Sequence, residues 1–267
     1  MNLLEKRMFD ILKSLRDDYG VVGVKAEFEA EGTRIDELMR LIELVRKCNL
    51  KLGIKIGGCE AMKDMMECKQ LGTDYIIAPM VETEYALKKY IEAKNKVFDE
   101  EEKKFVEFLT NIETKTSKDN LVKMVDLNKS YNETDRINGW VFGRVDYTLS
   151  CGMLRESIND NEQLTKDIID VAKVAKDNNL NLVVGGGVSI DAINIMKQIK
   201  EIKLDRFETR KIIFSDQSLT APNLKDGMLD AVSFELLWLK NKKNYYGSIF
   251  NEDDKRIKML SDRWEIK

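Results

Sequence analysis

Ionisable side chains fall at alternate positions near the ends of several apolar segments. In Val21–Glu29 the apolar residues Val22, Val24, Ala26 and Phe28 share one parity, whereas Lys25, Glu27 and Glu29 share the other. Because successive side chains of a strand point to opposite faces, the charged set is predicted to face one side together. The same alternation places Lys55 on the inner side of the next segment. Acids and bases gathered in this way could move protons or hold an anionic ligand.

Two later carboxylates are candidates for binding a hard cation. Glu113 follows Asn111, and Asp146 follows Arg144, each pair at the end of a predicted strand. The alternation predicts that all four side chains point inward. Mg²⁺ binds one or two carboxylates and leaves its other positions to water and substrate. Without histidine or a thiolate cluster, Mg²⁺ or Mn²⁺ is favoured over zinc.

The chain of 267 residues contains no histidine. A Ser-His-Asp or Cys-His nucleophile and a histidine-ligated metal are therefore excluded. Any base that works near neutral pH must be a carboxylate, a lysine, a cysteine or a metal-bound water.

Two further features are candidates for anion binding. The run Gly185-Gly186-Gly187-Val188-Ser189 ends a strand and opens a helix, where backbone N–H groups can bind a phosphate. Gly186 and Gly187 are therefore candidate substrate-binding residues, with a plain tight turn as the alternative. Lys25 and Arg210 are candidates for holding an anionic group of the substrate.

Short β-branched segments alternate with helical segments whose apolar residues recur at the helical period. This alternation predicts a parallel sheet covered by helices. No linker or change of composition divides the chain, so we expect one domain over residues 1–267, a closed (β/α)8 barrel of the TIM type. An open doubly wound sheet is the alternative. The predicted strands are Val21–Phe28, Leu52–Gly57, Tyr75–Met80, Phe105–Glu113, Gly139–Asp146, Leu182–Gly186 and Phe207–Phe214.

Only seven strands are evident, and extra helices are expected at both ends of the chain. Met1–Arg16 is predicted as a helix, so the first strand of the barrel could be degenerate or missing. At the other end, Met228–Leu239 and Asp254–Leu260 are predicted as helices.

Composition and charge limit the possible classes of protein. Hydrophobic residues make up 43% of the chain, which is enough to form a core. The near balance of 44 basic and 47 acidic residues argues against a basic nucleic-acid-binding face. No apolar run approaches the roughly 18 residues that cross a membrane, and the charged N-terminus is unlike a signal peptide. We therefore expect a cytoplasmic protein with no nucleic-acid or membrane partner.

Four short motifs occur along the chain: Lys55-Ile56-Gly57-Gly58, Ala78-Pro79-Met80-Val81-Glu82, Asn111-Ile112-Glu113-Thr114 and Gly143-Arg144-Val145-Asp146. Their order and spacing resemble those of the HpcH/HpaI aldolase and citrate lyase β-subunit family. The resemblance covers roughly residues 21–214 and implies a TIM barrel that acts on enolates of 2-oxo acids or on related acyl compounds. It also implies Mg²⁺ or Mn²⁺ as the cofactor and a homo-oligomer.

The same resemblance implies roles for individual residues. Glu113 and Asp146 fall on the paired metal ligands, and Asn111 falls on the polar residue before the first of them. Lys55 falls on the basic residue that grips the substrate carboxylate, where an arginine is usual. A lysine there lacks bidentate recognition of a carboxylate. The histidine that assists the base in the aldolase branch has no counterpart.

We therefore predict a metal-dependent carbon–carbon lyase whose substrate is a small anion. The substrate would be a 2-oxo acid, with or without a phosphate group, or an acyl-CoA. Lys55 and Arg144 would hold its carboxylate or phosphate, and Glu27 would move the proton. Two alternatives remain open. One is a metal-free aldolase in which Lys25 or Lys55 forms a Schiff base, and the other is a non-catalytic barrel subunit that binds an anionic ligand.

Overall fold

The first seven strands run parallel and pair with one another in chain order. The eighth pairs with the seventh and the first, which closes the barrel within residues 1–264, the part of the chain that the computed structural model describes. The predicted TIM-type barrel is confirmed, and the open doubly wound sheet is excluded. The strands are β1 (Val21–Glu27), β2 (Lys51–Lys55), β3 (Tyr75–Ala78), β4 (Glu107–Ile112), β5 (Gly139–Gly143), β6 (Asn181–Gly185), β7 (Arg206–Glu208) and β8 (Ile212–Ser215).

The barrel closes through a hairpin that the sequence pattern did not resolve. Phe207–Phe214 was predicted as one strand, but it contains most of β7 and β8 and the turn between them. Thr209 and Ile212 close this turn: the N–H of Thr209 donates to the carbonyl oxygen of Ile212 at 2.9 Å. Strand β8 therefore runs antiparallel to both β7 and β1. The strand hidden in the sequence is the last one, and β1 is a regular strand.

Helices surround the barrel and cover its outer face. The two predicted C-terminal helices are parts of one helix of 41 residues. None of the helices in residues 1–264 combines the length and the apolar character that a membrane span requires. The helices are α1 (Leu3–Tyr19), α2 (Ile35–Lys47), α3 (Met62–Leu71), α4 (Glu84–Val97), α5 (Lys115–Asp119), α6 (Leu121–Ser130), α7 (Arg144–Ser150), α8 (Glu162–Asp177), α9 (Ile193–Lys200) and α10 (Leu224–Trp264).

Inward-facing side chains fill the barrel in layers, as in other barrels of this type. At the N-terminal ends of the strands, Arg206 donates to Glu107 at 3.0 Å, and its guanidinium lies 4.4 Å from the centre of the Tyr75 ring. Further along the strands, an apolar layer separate from the outer core closes the interior below the C-terminal ends. It consists of Ile77, Leu109, Val141 and Val183.

The inward positions of β5 are the odd-numbered ones. Val141 belongs to the interior layer, whereas Trp140 and Phe142 pack in the outer core. The prediction that Arg144 and Asp146 point inward as strand residues is therefore wrong. The strand ends at Gly143, and the two residues lie in the first turn of α7, where the period of two no longer applies.

Lys94 of α4 is a fully buried cation that forms no ion pair within residues 1–264. Its Nζ donates to the carbonyl oxygen of Thr134 at 3.2 Å and lies 4.7 Å from the centre of the Phe108 ring. Burial, aided by the nearby cation of Lys103, lowers the pKa of Lys94 to about 7. The charged form of this side chain is therefore unfavourable in the folded state.

We expect Lys94→Met to stabilise the fold, most strongly at low pH. A lysine in the unfolded chain has a pKa near 10.4, so between about pH 7 and that value the unfolded state binds more protons than the folded state. Wild-type stability therefore rises with pH across this window, although Asp135 and Glu100 oppose the shift. The variant should gain on the order of 1–3 kcal/mol at about pH 6, and the gain should shrink towards about pH 10. Urea unfolding at several pH values measures the difference.

Lys103→Met is the matched control. The Lys103 Nζ lies 2.7 Å from Asp135 Oδ1, and although burial lowers the pKa of Lys103, its hydrogen bonds to Asp135 and Glu100 raise it above the usual value. This variant should lose stability. A Lys94→Met protein that is less stable than wild type at about pH 6 would contradict the interpretation.

Candidate functional site

A cavity of about 580 Å³ opens at the C-terminal ends of the barrel strands. Nine of the ten residues predicted to form the site line it, and the exception is Arg144. Strand and loop residues contribute most of the lining, and α7 and α10 complete it. The charged lining residues are Lys25, Glu27, Glu29, Lys55, Glu113, Asp146, Arg155, Glu208, Arg210 and Glu235.

Glu113 is held in place by two donors and by close packing. The N–H of Met80 donates to its Oε1 at 2.8 Å, and Asn111 Nδ2 donates to its Oε2 at 2.6 Å. Met80 has a φ of 51°, a left-handed conformation that is uncommon for a residue other than glycine. A Cβ atom added to Gly143 would lie 2.8 Å from the Cβ atom of Glu113. The carboxylate therefore has one well-defined position.

Lys55 lies between two carboxylates from different segments of the barrel. Its Nζ is 3.0 Å from Glu29 Oε2 and 3.6 Å from Glu113 Oε2. Burial alone would lower the pKa of Lys55, but Glu113 and Glu29 outweigh burial and raise it above its usual value. The ammonium keeps its proton, which suits it to binding an anion and not to attacking a carbonyl.

Lys25 links the first and seventh strands. It forms a short ion pair with Glu208, and its Nζ lies 3.5 Å from Glu27 Oε1. Burial would lower the pKa of Lys25, but Glu208 and Glu27 outweigh it and raise the pKa. Glu208 was not among the predicted site residues. The sequence did offer a signal for Glu208: it lies two positions before Arg210, so both side chains were expected to point to the same face of a strand.

Arg210 and Glu235 reach the cavity from a turn and from the last helix. Arg210 lies in the β7–β8 turn, with its Nη2 3.4 Å from Glu27 Oε2 and its Nε 3.1 Å from Glu31 Oε1. Glu235 comes from α10, and burial raises its pKa although Arg210 and Lys211 oppose the shift. No strand pattern could have identified Glu235, because it belongs to a helix that follows the last strand.

Asp146 enters the cavity from the first turn of α7. It is solvent-exposed, and within residues 1–264 its carboxylate takes part in no ion pair or hydrogen bond. Among the carboxylates that line the cavity it is therefore accessible to a ligand without displacing a protein cation.

Arg144 is fully buried and faces away from the cavity. Its Nη2 donates to the carbonyl oxygen of Ile158 at 2.7 Å and to Asn159 Oδ1 at 2.6 Å. Its Nε and Nη1 have no hydrogen-bond partner in the described part of the chain. Burial lowers the pKa of Arg144 to about 10. Instead of lining the substrate cavity, the guanidinium holds the turn at Arg155–Asn159 against α7.

Gly186 and Gly187 line the cavity with φ values of 80° and 62°. A Cβ atom on Gly186 would lie 2.8 Å from the backbone nitrogens of Arg144 and Val145. A glycine is therefore needed where β6 ends against the start of α7. Binding of an anion by this turn stays a prediction.

Two of the cavity's carboxylates are suited to a hard divalent cation. No group of three or more His, Cys, Asp or Glu side chains is arranged to hold a metal within residues 1–264. Glu113 and Asp146 nevertheless line one cavity, and Asp146 has no competing protein cation. Two carboxylates, with water and substrate in the remaining positions, are a typical Mg²⁺ environment. The residues therefore fit Mg²⁺ or Mn²⁺, and metal binding itself stays a prediction.

Carboxylates outnumber cations around the cavity. Six carboxylates and four cations line it, a difference of two negative charges. An anionic ligand would be repelled by this excess unless a cation accompanied it. The cations are Lys25, Lys55, Arg155 and Arg210, and the carboxylates are those of Glu27, Glu29, Glu113, Asp146, Glu208 and Glu235.

Several solved structures are similar to this chain. Citrate synthase SbnG is 13% identical with a TM-score of 0.58, over 76% of this chain and 81% of that chain. An HpcH/HpaI aldolase/citrate lyase family protein from Burkholderia cenocepacia J2315 is 11% identical with a TM-score of 0.57, over 83% of this chain and 98% of that chain. RipC from Yersinia pestis is 12% identical with a TM-score of 0.50, over 80% of this chain and 87% of that chain.

No family model matches the sequence, and no curated protein matches it. The protein is therefore placed by its architecture, as an α/β barrel of the TIM type with its cavity at the C-terminal ends of the strands. More particularly, the chain has the barrel fold of the HpcH/HpaI aldolase and citrate lyase family, and the resemblance drawn from the four motifs is confirmed at the level of the fold.

We expect Gly143→Ala to displace the Glu113 carboxylate. The new Cβ atom would lie 2.8 Å from Glu113 Cβ and 3.1 Å from its Oε2, so the side chain must move. Such overpacking typically costs about 1–3 kcal/mol. Gly58→Ala is the control, since a Cβ atom there meets nothing within 4 Å, and it should change stability by no more than about 0.5 kcal/mol. Thermal and urea unfolding compare the two variants, and equal stabilities would refute the packing argument.

Proposed function

We propose that the protein is a metal-dependent carbon–carbon lyase that acts through the enolate of a 2-oxo acid or a related carboxylate substrate. The observation that carries this proposal is the pair Glu113 and Asp146 on a cavity where carboxylates outnumber cations. Such a cavity favours a divalent cation. A bound cation would in turn offset the excess negative charge of the cavity, so that an anionic substrate could bind. The fold shared with citrate synthase SbnG and the Burkholderia protein supports the same class of reaction.

Glu113 and Asp146 would hold Mg²⁺ or Mn²⁺, which when bound acts as a Lewis acid towards the oxo group of the substrate. Lys55 would bind the substrate carboxylate, because its ammonium is kept charged by Glu29 and Glu113 and lines the same cavity. Arg155 and Arg210 would bind a second anionic group at the rim.

Glu27 would move the proton. In the cleavage of a 4-hydroxy-2-oxo acid, its carboxylate would take the proton of the C4 hydroxyl group. As the C3–C4 bond breaks, C4 becomes the carbonyl carbon of the aldehyde that leaves, and the electron pair of the broken bond forms the enolate. The proton then returns to C3, which completes the 2-oxo acid product. Lys25 and Arg210 contact the two oxygens of Glu27, at 3.5 and 3.4 Å, and fix its orientation.

Arg144 is not part of the proposed substrate-binding set. Its guanidinium contacts Ile158 and Asn159 on the far side of α7 from the cavity lining. We propose instead a supporting role, in which Arg144 holds the turn that carries Arg155.

Metal-dependent enolisation is the first test. The wild-type protein should exchange the C3 protons of pyruvate or oxaloacetate in D₂O, and EDTA should stop the exchange. Glu113→Gln and Asp146→Asn should each lower Mn²⁺ affinity at least about tenfold, since each removes one of two charged ligands. Isothermal titration calorimetry measures the affinity, and NMR follows the exchange.

Glu84→Gln is the control for loss of a carboxylate, because Glu84 is exposed in the first turn of α4 and does not line the cavity. It should leave both readouts unchanged. Unaltered Mn²⁺ binding in both Glu113→Gln and Asp146→Asn would show that the metal assignment is wrong.

A second prediction separates the metal mechanism from a Schiff base. The pKa values of Lys25 and Lys55 are raised by their carboxylate neighbours, despite burial. A Schiff-base lysine needs a lowered pKa. Incubation with 2-oxo acids and borohydride should therefore leave both lysines unmodified in mass spectra. A stable adduct on either residue would favour the metal-free aldolase.

A non-catalytic barrel that binds an anion is the second candidate function. It is favoured by the absence of histidine, which leaves the chain without the residue that assists the base in the aldolase branch of the family it resembles. Binding of a 2-oxo acid without any proton exchange, in the presence of Mg²⁺ or Mn²⁺, would support this candidate. Cytoplasmic location, a small anionic partner, and no nucleic-acid or membrane partner stay predictions from the sequence.

A further inference from the structure

Glu113 and Asp146 are positioned in different ways. Glu113 is fixed by the hydrogen bonds that its own carboxylate accepts from Met80 and Asn111. Asp146 takes part in no hydrogen bond or ion pair within residues 1–264, so its place is set by α7, the seven-residue helix that carries it. An isolated helix of this length is unstable in water. The contacts that hold α7 therefore determine the separation of the two carboxylates.

Asp167 of α8 connects α7 with α5, the short helix that begins two residues after Glu113. Tyr147 of α7 donates its hydroxyl hydrogen to Asp167 Oδ2 at 3.0 Å. Lys118 of α5 donates to Asp167 Oδ1, and the two side chains form an ion pair. Asp167 itself does not line the cavity. One carboxylate outside the cavity thus holds a residue from each of the two segments that follow β4 and β5.

The connection through Asp167 is buried and its donors are in place. Asp167 is 5% exposed and Tyr147 is 1% exposed, and Gln163 of α8 also donates to Asp167 Oδ1, at 2.9 Å. Burial and the hydrogen bond to Asp167 raise the pKa of Tyr147, so its hydroxyl keeps its proton and remains a donor. Without the carboxylate, this hydroxyl and the Lys118 ammonium would lose their shared acceptor, which is unfavourable for buried groups.

A second contact joins the same two helices. The N–H of Lys115, the first residue of α5, donates to Ser150 Oγ at 2.9 Å. Ser150 is the last residue of α7, and its hydroxyl donates to the carbonyl oxygen of Tyr147 at 2.8 Å. Two connections restrict the rotation of α7 relative to α5 more than one would.

We propose that Asp167 is a positioning residue, which sets the separation of Glu113 and Asp146 and thereby makes the site prefer Mg²⁺ over Ca²⁺. Mg²⁺ demands near-ideal octahedral geometry at about 2.0–2.1 Å, whereas Ca²⁺ accepts flexible arrangements at about 2.3–2.6 Å. Two firmly held carboxylates suit the first ion, and a loosened pair loses that preference. This inference rests on the proposed function, because it requires the same two carboxylates to bind the metal.

Calorimetric titration with Mg²⁺ and with Ca²⁺ tests the proposal. Asp167→Asn and Tyr147→Phe should each lower Mg²⁺ affinity by about tenfold, the size of effect typical of residues that orient metal ligands. Ca²⁺ affinity should fall by no more than about twofold, since Ca²⁺ tolerates a less exact site. A general loss of folded structure would lower both affinities alike. An equal loss for the two ions, or no loss for either, would overturn the proposal.

Asp170→Asn is the matched control. Asp170 lies three residues further along α8 and is partly exposed, and its Oδ2 approaches the Lys118 Nζ only to 4.0 Å. The substitution removes the same charge from the same helix without breaking the connection. It should leave the affinities for both ions unchanged.

A double-mutant cycle tests whether the two helices are coupled through Asp167. Lys118→Met and Tyr147→Phe each break the same connection, one on the α5 side and one on the α7 side. The double variant should therefore bind Mg²⁺ as the weaker single variant does, within about twofold. Independent effects would instead add in free energy, to a loss of about a hundredfold. Such an additive loss would contradict the coupling.

Variants of the ligands themselves separate the failure of this inference from the failure of the proposed function. If Glu113→Gln or Asp146→Asn weakens Mg²⁺ binding and Asp167→Asn does not, the metal site stands and the positioning role is wrong. If neither ligand variant alters Mg²⁺ binding, or the wild-type protein binds no Mg²⁺, the proposed function fails and the positioning role fails with it.

Discussion

A buried charge is unfavourable unless an opposite charge accompanies it, and this constraint organises the upper end of the barrel. Lys25 lies between Glu208 and Glu27, and Lys55 lies between Glu29 and Glu113. Each cation joins residues from different strands, so the ion pairs hold the strand ends together and orient the side chains that line the cavity. The apolar layer below them keeps these charges at the mouth.

Regular strands allowed much of this site to be predicted from the sequence. Lys25, Glu27, Lys55 and Asn111 lie inside strands, where side chains alternate strictly and a single apolar neighbour fixes the direction of the next residue. Glu113 follows its strand by one residue and keeps the same direction. The motifs around these residues indicated the family fold that the solved structures then confirmed.

The remaining features depend on where elements end and on what packs beside them. Arg144 was placed inward because the even-numbered residues of β5 were taken to face the interior and the strand was expected to continue to Asp146. The odd-numbered Val141 faces the interior instead, and the strand ends at Gly143, where a helix begins. The hairpin of β7 and β8 was hidden because Thr209 and Ile212 close a turn within one apolar stretch. Glu235 comes from a C-terminal helix, so its arrival at the cavity is set by tertiary packing alone.

The hairpin closure also has a consequence for how the chain folds. Lys25 and Glu208, which meet at the seam of the barrel, are 183 positions apart in the sequence. Loop-closure entropy makes so distant a pairing slow to form, whereas the parallel pairs from β1 to β7 join neighbours in the chain. We therefore expect the seam to be the last part of the sheet to assemble. Lys25 would meet Glu208, and Glu27 would meet Arg210, only in that final step, so a chain that stalls before it would be compact and rich in helix but without a complete cavity.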